Sequence, residues 1–156
     1  MMKGAGGKAM GYAQALNVYK ETKVKTASQG ALIVMLYEEA IKHMDAAAAL
    51  VAEDLKKDPS KIEKANTHIL KAQEIVTELA ASLNMDEGGE IAKNLMSLYT
   101  FFLAQLSAAN FEKKPEKILA VRGLMNELLS AWNQIASSAS AAENRGQIPS
   151  GINIAG

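Results

Sequence analysis

The residues best suited to chemistry at neutral pH are two histidines, His43 and His68, because the chain contains no cysteine. A di-metal site in a helical bundle places a glutamate three residues before each histidine, with further carboxylates aimed at the core. Alanine occupies both of these positions, Ala40 and Ala65. Lysines close to each histidine in the sequence favour a solvated helix face for both side chains. The sequence therefore predicts no metal site and no cofactor.

Other catalytic arrangements are equally hard to find in the sequence. No serine stands in a hydrolase motif, and the glycines of "EGGE" (residues 87–90) lack the lysine of a phosphate-binding loop. Asp86, Glu87 and Glu90 could attract a cation, yet acids near the start of a helix more often stabilise it through the helix dipole. We therefore predict that the protein has no catalytic residues and is not an enzyme.

The composition sets limits on the fold and on the partners. With 156 residues, the chain is long enough for one domain with a full hydrophobic core. Its residues are 49% hydrophobic but only 5% aromatic, which favours helices over sheets. The 17 basic and 17 acidic residues give no net charge that would call for a nucleic-acid partner. The longest apolar runs, "ALIVMLY" and "AAAALVA", are too short for membrane insertion, and no secretory signal is visible. We expect a cytoplasmic protein.

Apolar residues recur in steps of three and four along four segments of the chain. Ser60 and Glu63 form a capping box before the second segment, and the glycines of "EGGE" end it by a tight turn. Short connections make neighbouring helices antiparallel, so the sequence predicts an all-α, up-down four-helix bundle. The predicted helices span about 28–56, 61–84, 89–110 and 115–138. They form a single domain at 17–138, between a flexible N-terminus at 1–16 and a disordered tail at 139–156.

The third predicted helix carries more apolar residues than one core-facing stripe requires. Ile91, Leu95, Leu98 and Phe102 cluster on one side, and a shoulder of Met96, Tyr99 and Leu103 lies beside them. The fourth helix adds apolar residues outside its own minimal stripe, among them Leu119 and Leu124. The excess indicates either a wider contact within the core or a groove that receives a partner helix. We predict that Met96, Tyr99, Leu103, Leu119 and Leu124 line such a groove.

A polar strip with three apolar anchors, Val18, Tyr19 and Val24, precedes the first helix. Burial of each anchor contributes roughly 1.5–3 kcal/mol at most. Ordering the backbone of the strip costs roughly 1–2 kcal/mol per residue, so the strip can attach only weakly. This balance is typical of a lid that a better-anchored partner displaces, although a simple N-terminal tether is the alternative.

Two stretches of the chain carry motifs in a characteristic order. The first, "VYKETKVKTASQGALIVMLYEEAI", has a tyrosine, a valine five residues later, and Thr-Ala-Ser before a Leu-Ile-x-Met-Leu-Tyr helix. The second, "KAQEIVTELAASLNMDEGGEIAKNLMSLY", runs through a helix, a Gly-Gly turn and the next helix. Together these motifs resemble the FliS family of flagellar export chaperones. Two features depart from the family pattern. Gln29 stands where proline is usual, and "LYTFFLAQL" is more apolar than the family's Tyr-Asp-Tyr segment.

The resemblance implies a function as well as a fold. Chaperones of this kind bind the disordered C-terminal segment of flagellin, prevent premature filament polymerisation and aid delivery to a component of the flagellar export gate. The resemblance also implies that the N-terminal strip, here with Tyr19 and Val24, is displaced by the client and contributes to docking at the gate. A homodimer that opens for its client is a further possibility.

Two alternatives belong to other classes of protein. One is a regulatory adaptor of the same fold whose client is not flagellin. The other is a bundle enzyme or metal carrier that uses His43 and His68.

Overall fold

The computed structural model describes the backbone of residues 29–155 and the side chains of residues 29–138. This part of the chain contains four helices and no strands. They are α1 (Gln29–Val51), α2 (Ser60–Ala81), α3 (Gly89–Glu112) and α4 (Glu116–Ala155). The predicted all-α four-helix bundle is confirmed. Val18, Tyr19 and Val24 lie outside the described residues.

Several helix ends differ from the predicted ones, and α2 ends at Ala81 rather than near 84. Helix α1 ends at Val51, five residues before the predicted boundary at 56, where the chain becomes polar ("EDLKKDPS"). The predicted capping box does not form: Pro59 is the N-cap residue of α2, and the Ser60 hydroxyl donates to Asp58 Oδ1 at 2.5 Å. Helix α4 continues to Ala155 rather than ending near 138, through an alanine-rich stretch that favours helical backbone.

The turn between α2 and α3 needs both of its glycines. A Cβ atom on Gly88 would lie 2.6 Å from the carbonyl oxygen of Asn84 and 2.6 Å from the Cβ atom of Ala92. Gly89 has a φ of +55°, a conformation that other residues adopt only with strain. Asn84 closes the turn, because its Oδ1 accepts from the backbone N–H groups of Asp86 and Glu87. The three acids near this turn are therefore exposed residues of a structural turn and of the first turn of α3.

Each helix contributes buried apolar residues to the core. Large side chains with almost no exposed surface come from all four helices: Tyr37 and Met44, Ile69 and Ile75, Tyr99 and Phe102, and Ile118 and Met125. Apart from the tyrosines, no polar or charged residue is buried in the described part of the chain. The core therefore relies on apolar burial, the dominant favourable term in folding.

Residues 35–131 form one compact unit, which contains part of every helix. Side-chain hydrogen bonds between α2 and α3 show that these helices are antiparallel, because Asn66 pairs with Asn110 whereas Gln73 pairs with Ser107. A second compact unit contains the described residues 29–34 and 132–155. In that unit, a Cβ atom on Gly30 would lie 3.3 Å from the Cα atom of Ala136, so the two backbones approach closely.

Candidate partner-binding surface

Two side-chain amides link α2 to α3 along one line of the bundle. The Gln73 Nε2 group donates to the backbone carbonyl of Leu103 at 3.2 Å and to the Ser107 hydroxyl at 2.8 Å. The Asn110 Nδ2 group donates to Asn66 Oδ1 at 2.6 Å. These bonds fix the register of the two helices at a surface that is partly open to solvent.

Exposed and partly exposed apolar side chains lie on the same helix faces as these amides. Leu70 is four residues after Asn66 and three before Gln73, so it shares their face of α2, and 52% of its surface is exposed. Met96 and Leu103 are both partly exposed, and seven residues separate them, which places them about 20° apart around α3. We call Leu70, Gln73, Met96, Leu103 and Ser107 the α2–α3 surface.

Tyr99, which was predicted to line the groove, is buried in the structure and is not part of the exposed α2–α3 surface. Only 2% of Tyr99 is exposed, and its hydroxyl lies 2.6 Å from the hydroxyl of Tyr37 on α1. Burial, followed by the hydrogen bond with Tyr37, raises the pKa of Tyr99 well above its ordinary value. Tyr99 shares the buried face of α3 with Leu95 and Phe102, and Tyr37 gives its phenol a hydrogen-bond partner there.

The two predicted groove residues of α4 are exposed but do not share a helix face. Leu119 is 50% exposed and Leu124 is 38% exposed. A separation of five residues places them about 140° apart around the helix. Arg122 lies between them in sequence and pairs with Asp45 of α1 through both carboxylate oxygens, at 2.9 and 3.4 Å. A partner that touches both leucines therefore has to reach two sides of α4.

Several exposed apolar residues were not predicted as surface residues. Ile91 was predicted in the core stripe of the third helix but is 72% exposed. Phe111 is 91% exposed at the end of α3, and Phe101 is 47% exposed. The exposure of Phe101 is consistent with its position in the sequence, because five residues after Met96 it lies about 140° around α3 from that residue. Phe111 carries no sequence signal beyond its place next to the helix end.

The two histidines meet across the interface of α1 and α2, contrary to the predicted solvated faces. His43 Nδ1 lies 3.0 Å from His68 Nδ1, and the ring centroids are 5.2 Å apart. His43 Nε2 lies 3.4 Å from the Glu39 carboxylate, one helical turn earlier. Burial lowers the pKa of both histidines below the ordinary value, and Lys71 adds to this in each case, whereas Glu39 acts in the opposite direction on His43.

Acid should destabilise the fold through this histidine pair. Because the pKa of each histidine is lowered in the folded state, the unfolded chain binds more protons below about pH 6.5. The contribution of the two neutral histidines to stability is complete above that pH, and it is lost as the pH falls through their lowered pKa values. Urea unfolding at several pH values measures how the free energy of unfolding changes with pH. In the acid range, this slope should be shallower for His68→Gln than for the unchanged protein, by at most about 1.4 kcal/mol per pH unit. Equal slopes would contradict the expectation.

The described residues hold no group of three or more histidine, aspartate or glutamate side chains placed to bind a metal ion. Among the helices of the described chain, none combines the length and the apolar character needed to cross a membrane.

An all-helical bundle with open apolar helix faces offers the kind of surface to which an amphipathic partner segment can bind. The family model of the flagellar protein FliS matches residues 12–139, and the chain belongs to this family.

Curated relatives match most of the chain. A flagellar secretion chaperone FliS from Salmonella typhimurium is 35% identical over 135 residues, which are 86% of this chain and 93% of the relative. The FliS chaperone of Vibrio cholerae is 33% identical over 77% of this chain and 87% of its own. The Bacillus subtilis protein of the same name is 28% identical over 77% of this chain and 84% of its own. These relatives are named as chaperones, and the name describes no catalytic activity.

Proposed function

We propose that this chain is a cytoplasmic flagellar secretion chaperone that binds the C-terminal segment of flagellin. The observation that supports this most is the family match over residues 12–139, together with relatives that are named flagellar secretion chaperones. In this role, the protein holds newly made flagellin before export, prevents premature polymerisation and delivers its client to a component of the export gate.

The α2–α3 surface suits a client that folds as it binds. A disordered segment loses conformational freedom on binding, so it needs an extended apolar contact to offset that loss. Leu70, Met96 and Leu103 offer such contact, and the amide of Gln73 orders the backbone beneath it. Leu119 and Leu124 extend the contact only if the client passes around α4. We therefore propose a client that wraps more than one face of the bundle.

Leu103→Ala is expected to weaken binding of a flagellin C-terminal peptide by about 1–3 kcal/mol, which is roughly a 5- to 150-fold rise in Kd. Truncation removes apolar contact from the centre of the α2–α3 surface and leaves the buried core intact. Isothermal titration measures the affinity, and the gain in helical circular dichroism reports the folding of the client.

Ile91→Ala is the matched control for this measurement. Ile91 is an apolar residue of the same helix, is 72% exposed and lies about 120° around α3 from Leu103. Unchanged binding by Leu103→Ala would place the client elsewhere, and an equal loss in both variants would mean that the client does not prefer the α2–α3 surface. If the unchanged chaperone binds no flagellin peptide at micromolar concentration, the regulatory adaptor with another client becomes the better assignment.

We also propose that Val18, Tyr19 and Val24 cover part of the client surface before binding and take part in docking at the export gate. Removal of residues 1–24 should then tighten peptide binding or leave it unchanged, because the client no longer competes with the strip. A large loss of affinity in the same titration would instead make the strip part of the binding site. Light scattering with and without peptide would show whether a homodimer opens for the client.

A further inference from the structure

The pair of histidines on α1 and α2 has no part in the proposed function. His43 and His68 are the only histidines in the chain, so any imidazole chemistry belongs to this pair, and the absence of cysteine excludes thiolate chemistry. Their Nδ1 atoms face each other at 3.0 Å, although 25 residues separate them in the sequence.

The nearby carboxylate of Glu39 favours the form of His43 that leaves Nδ1 free. It lies 3.4 Å from His43 Nε2, so it favours the tautomer that carries its proton on Nε2. His43 Nδ1 then presents a lone pair toward His68. In proteins, a histidine that binds a metal usually donates its other ring N–H group to such a carboxylate.

The spacing of the two nitrogens matches that of two ligands on one metal ion. A cation about 2.0–2.1 Å from each nitrogen holds them about 2.9 Å apart at a right angle and about 3.4 Å apart at a tetrahedral angle. The observed 3.0 Å lies between these values. Without a cation, the 3.0 Å contact is a hydrogen bond, in which the Nδ1–H group of His68 donates to the free Nδ1 of His43. A bound cation requires His68 to carry its proton on Nε2 instead. This is a change of tautomer, and the charge of His68 stays the same.

The charges around the pair affect how strongly a cation binds, and the ligand atoms determine which type of cation binds. Lys71 on α2 and Lys42 on α1 oppose a bound cation, whereas Glu39 on α1 favours it. With only two protein ligands, the remaining coordination positions belong to solvent. Imidazole nitrogens suit Cu²⁺, Ni²⁺ and Zn²⁺, whereas Mg²⁺ prefers oxygen ligands.

We propose that His43 and His68 bind one late first-row divalent cation through their Nδ1 atoms, with Glu39 orienting His43 from the outer shell. The cation links α1 to α2. The affinity follows the order of this series, so Cu²⁺ binds more tightly than Ni²⁺ or Zn²⁺.

Titration of the untagged full-length protein with CuCl₂, ZnCl₂ and MgCl₂ tests this proposal, in a non-coordinating buffer above the ordinary histidine pKa. We expect one equivalent of Cu²⁺ or Zn²⁺ to bind and Mg²⁺ not to bind. Nitrogen NMR of the imidazole rings should show both histidines perturbed by Zn²⁺ together, with saturation at one equivalent. This second readout uses the unchanged protein and does not depend on whether a variant folds.

Four variants make the assignment specific. His43→Gln and His68→Gln should each abolish saturable binding at concentrations that saturate the unchanged protein. Glu39→Gln should weaken it about 10- to 100-fold, as expected of an outer carboxylate. Glu38→Gln, at the exposed neighbouring residue, should leave it unchanged. The proposal is overturned if no saturable binding occurs, if binding survives in the double variant His43→Gln/His68→Gln, or if Zn²⁺ perturbs neither ring.

Discussion

Phe102→Ala is expected to lower the free energy of unfolding by about 3–5 kcal/mol, because it leaves a cavity in the middle of the bundle. Phe102 has no exposed surface, and its ring centroid lies 6.3 Å from that of Tyr99 and 6.2 Å from that of Phe101. A loss of this size is a large fraction of the stability of an ordinary domain. Urea unfolding followed by circular dichroism measures it through linear extrapolation.

The preceding residue supplies a matched control for this experiment. Phe101 is the same residue type in the same helix, but 47% of its surface is exposed. Phe101→Ala should cost only about 1 kcal/mol, since roughly half of the ring already lies in water. If the two variants lose similar stability, or if Phe101→Ala loses more, the inward face of α3 has been assigned incorrectly.

The third helix shows how far apolar periodicity can predict a core. Leu95 and Phe102 were predicted in the core stripe and are buried, which follows from their recurrence at helical spacing. The stripe nevertheless runs through Ala92 and Tyr99 and not through Ile91. A helix with apolar residues on several faces satisfies more than one stripe, and the choice between them depends on the neighbouring helices. Small residues such as Ala92 permit close approach but add little to an apolar pattern.

The turn between α2 and α3 was predictable, whereas the histidine pair was not. Two adjacent glycines specify a turn by local backbone geometry alone, and Gly88 and Gly89 are found in one. The meeting of His43 with His68 depends on the relative rotation and register of α1 and α2. No local pattern encodes that register, and the lysines near each histidine in the sequence led to the prediction of solvated helix faces. The contact between these two side chains from different helices was therefore found only in the structure.

The buried phenols of Tyr37 and Tyr99 allow a test in which a second mutation should restore stability. Tyr99 is 2% exposed, and within the described residues its hydroxyl has Tyr37 as its hydrogen-bond partner, at 2.6 Å. Tyr37→Phe leaves this hydroxyl buried without that partner, at an expected cost of about 1–3 kcal/mol. Tyr99→Phe, added to Tyr37→Phe, removes the orphaned hydroxyl and keeps the ring. The double variant should then be more stable than Tyr37→Phe alone.

The comparison between Tyr37→Phe and the double variant isolates the Tyr99 hydroxyl, since both proteins lack the hydroxyl of Tyr37. Urea unfolding of both proteins gives the difference in the free energy of unfolding. A recovery of stability means that the phenol of Tyr99 is held in the core. A further loss of stability would mean that the Tyr99 hydroxyl has another favourable environment, such as solvent at an open groove. That result would favour the prediction that Tyr99 lines the groove beside Met96 and Leu103.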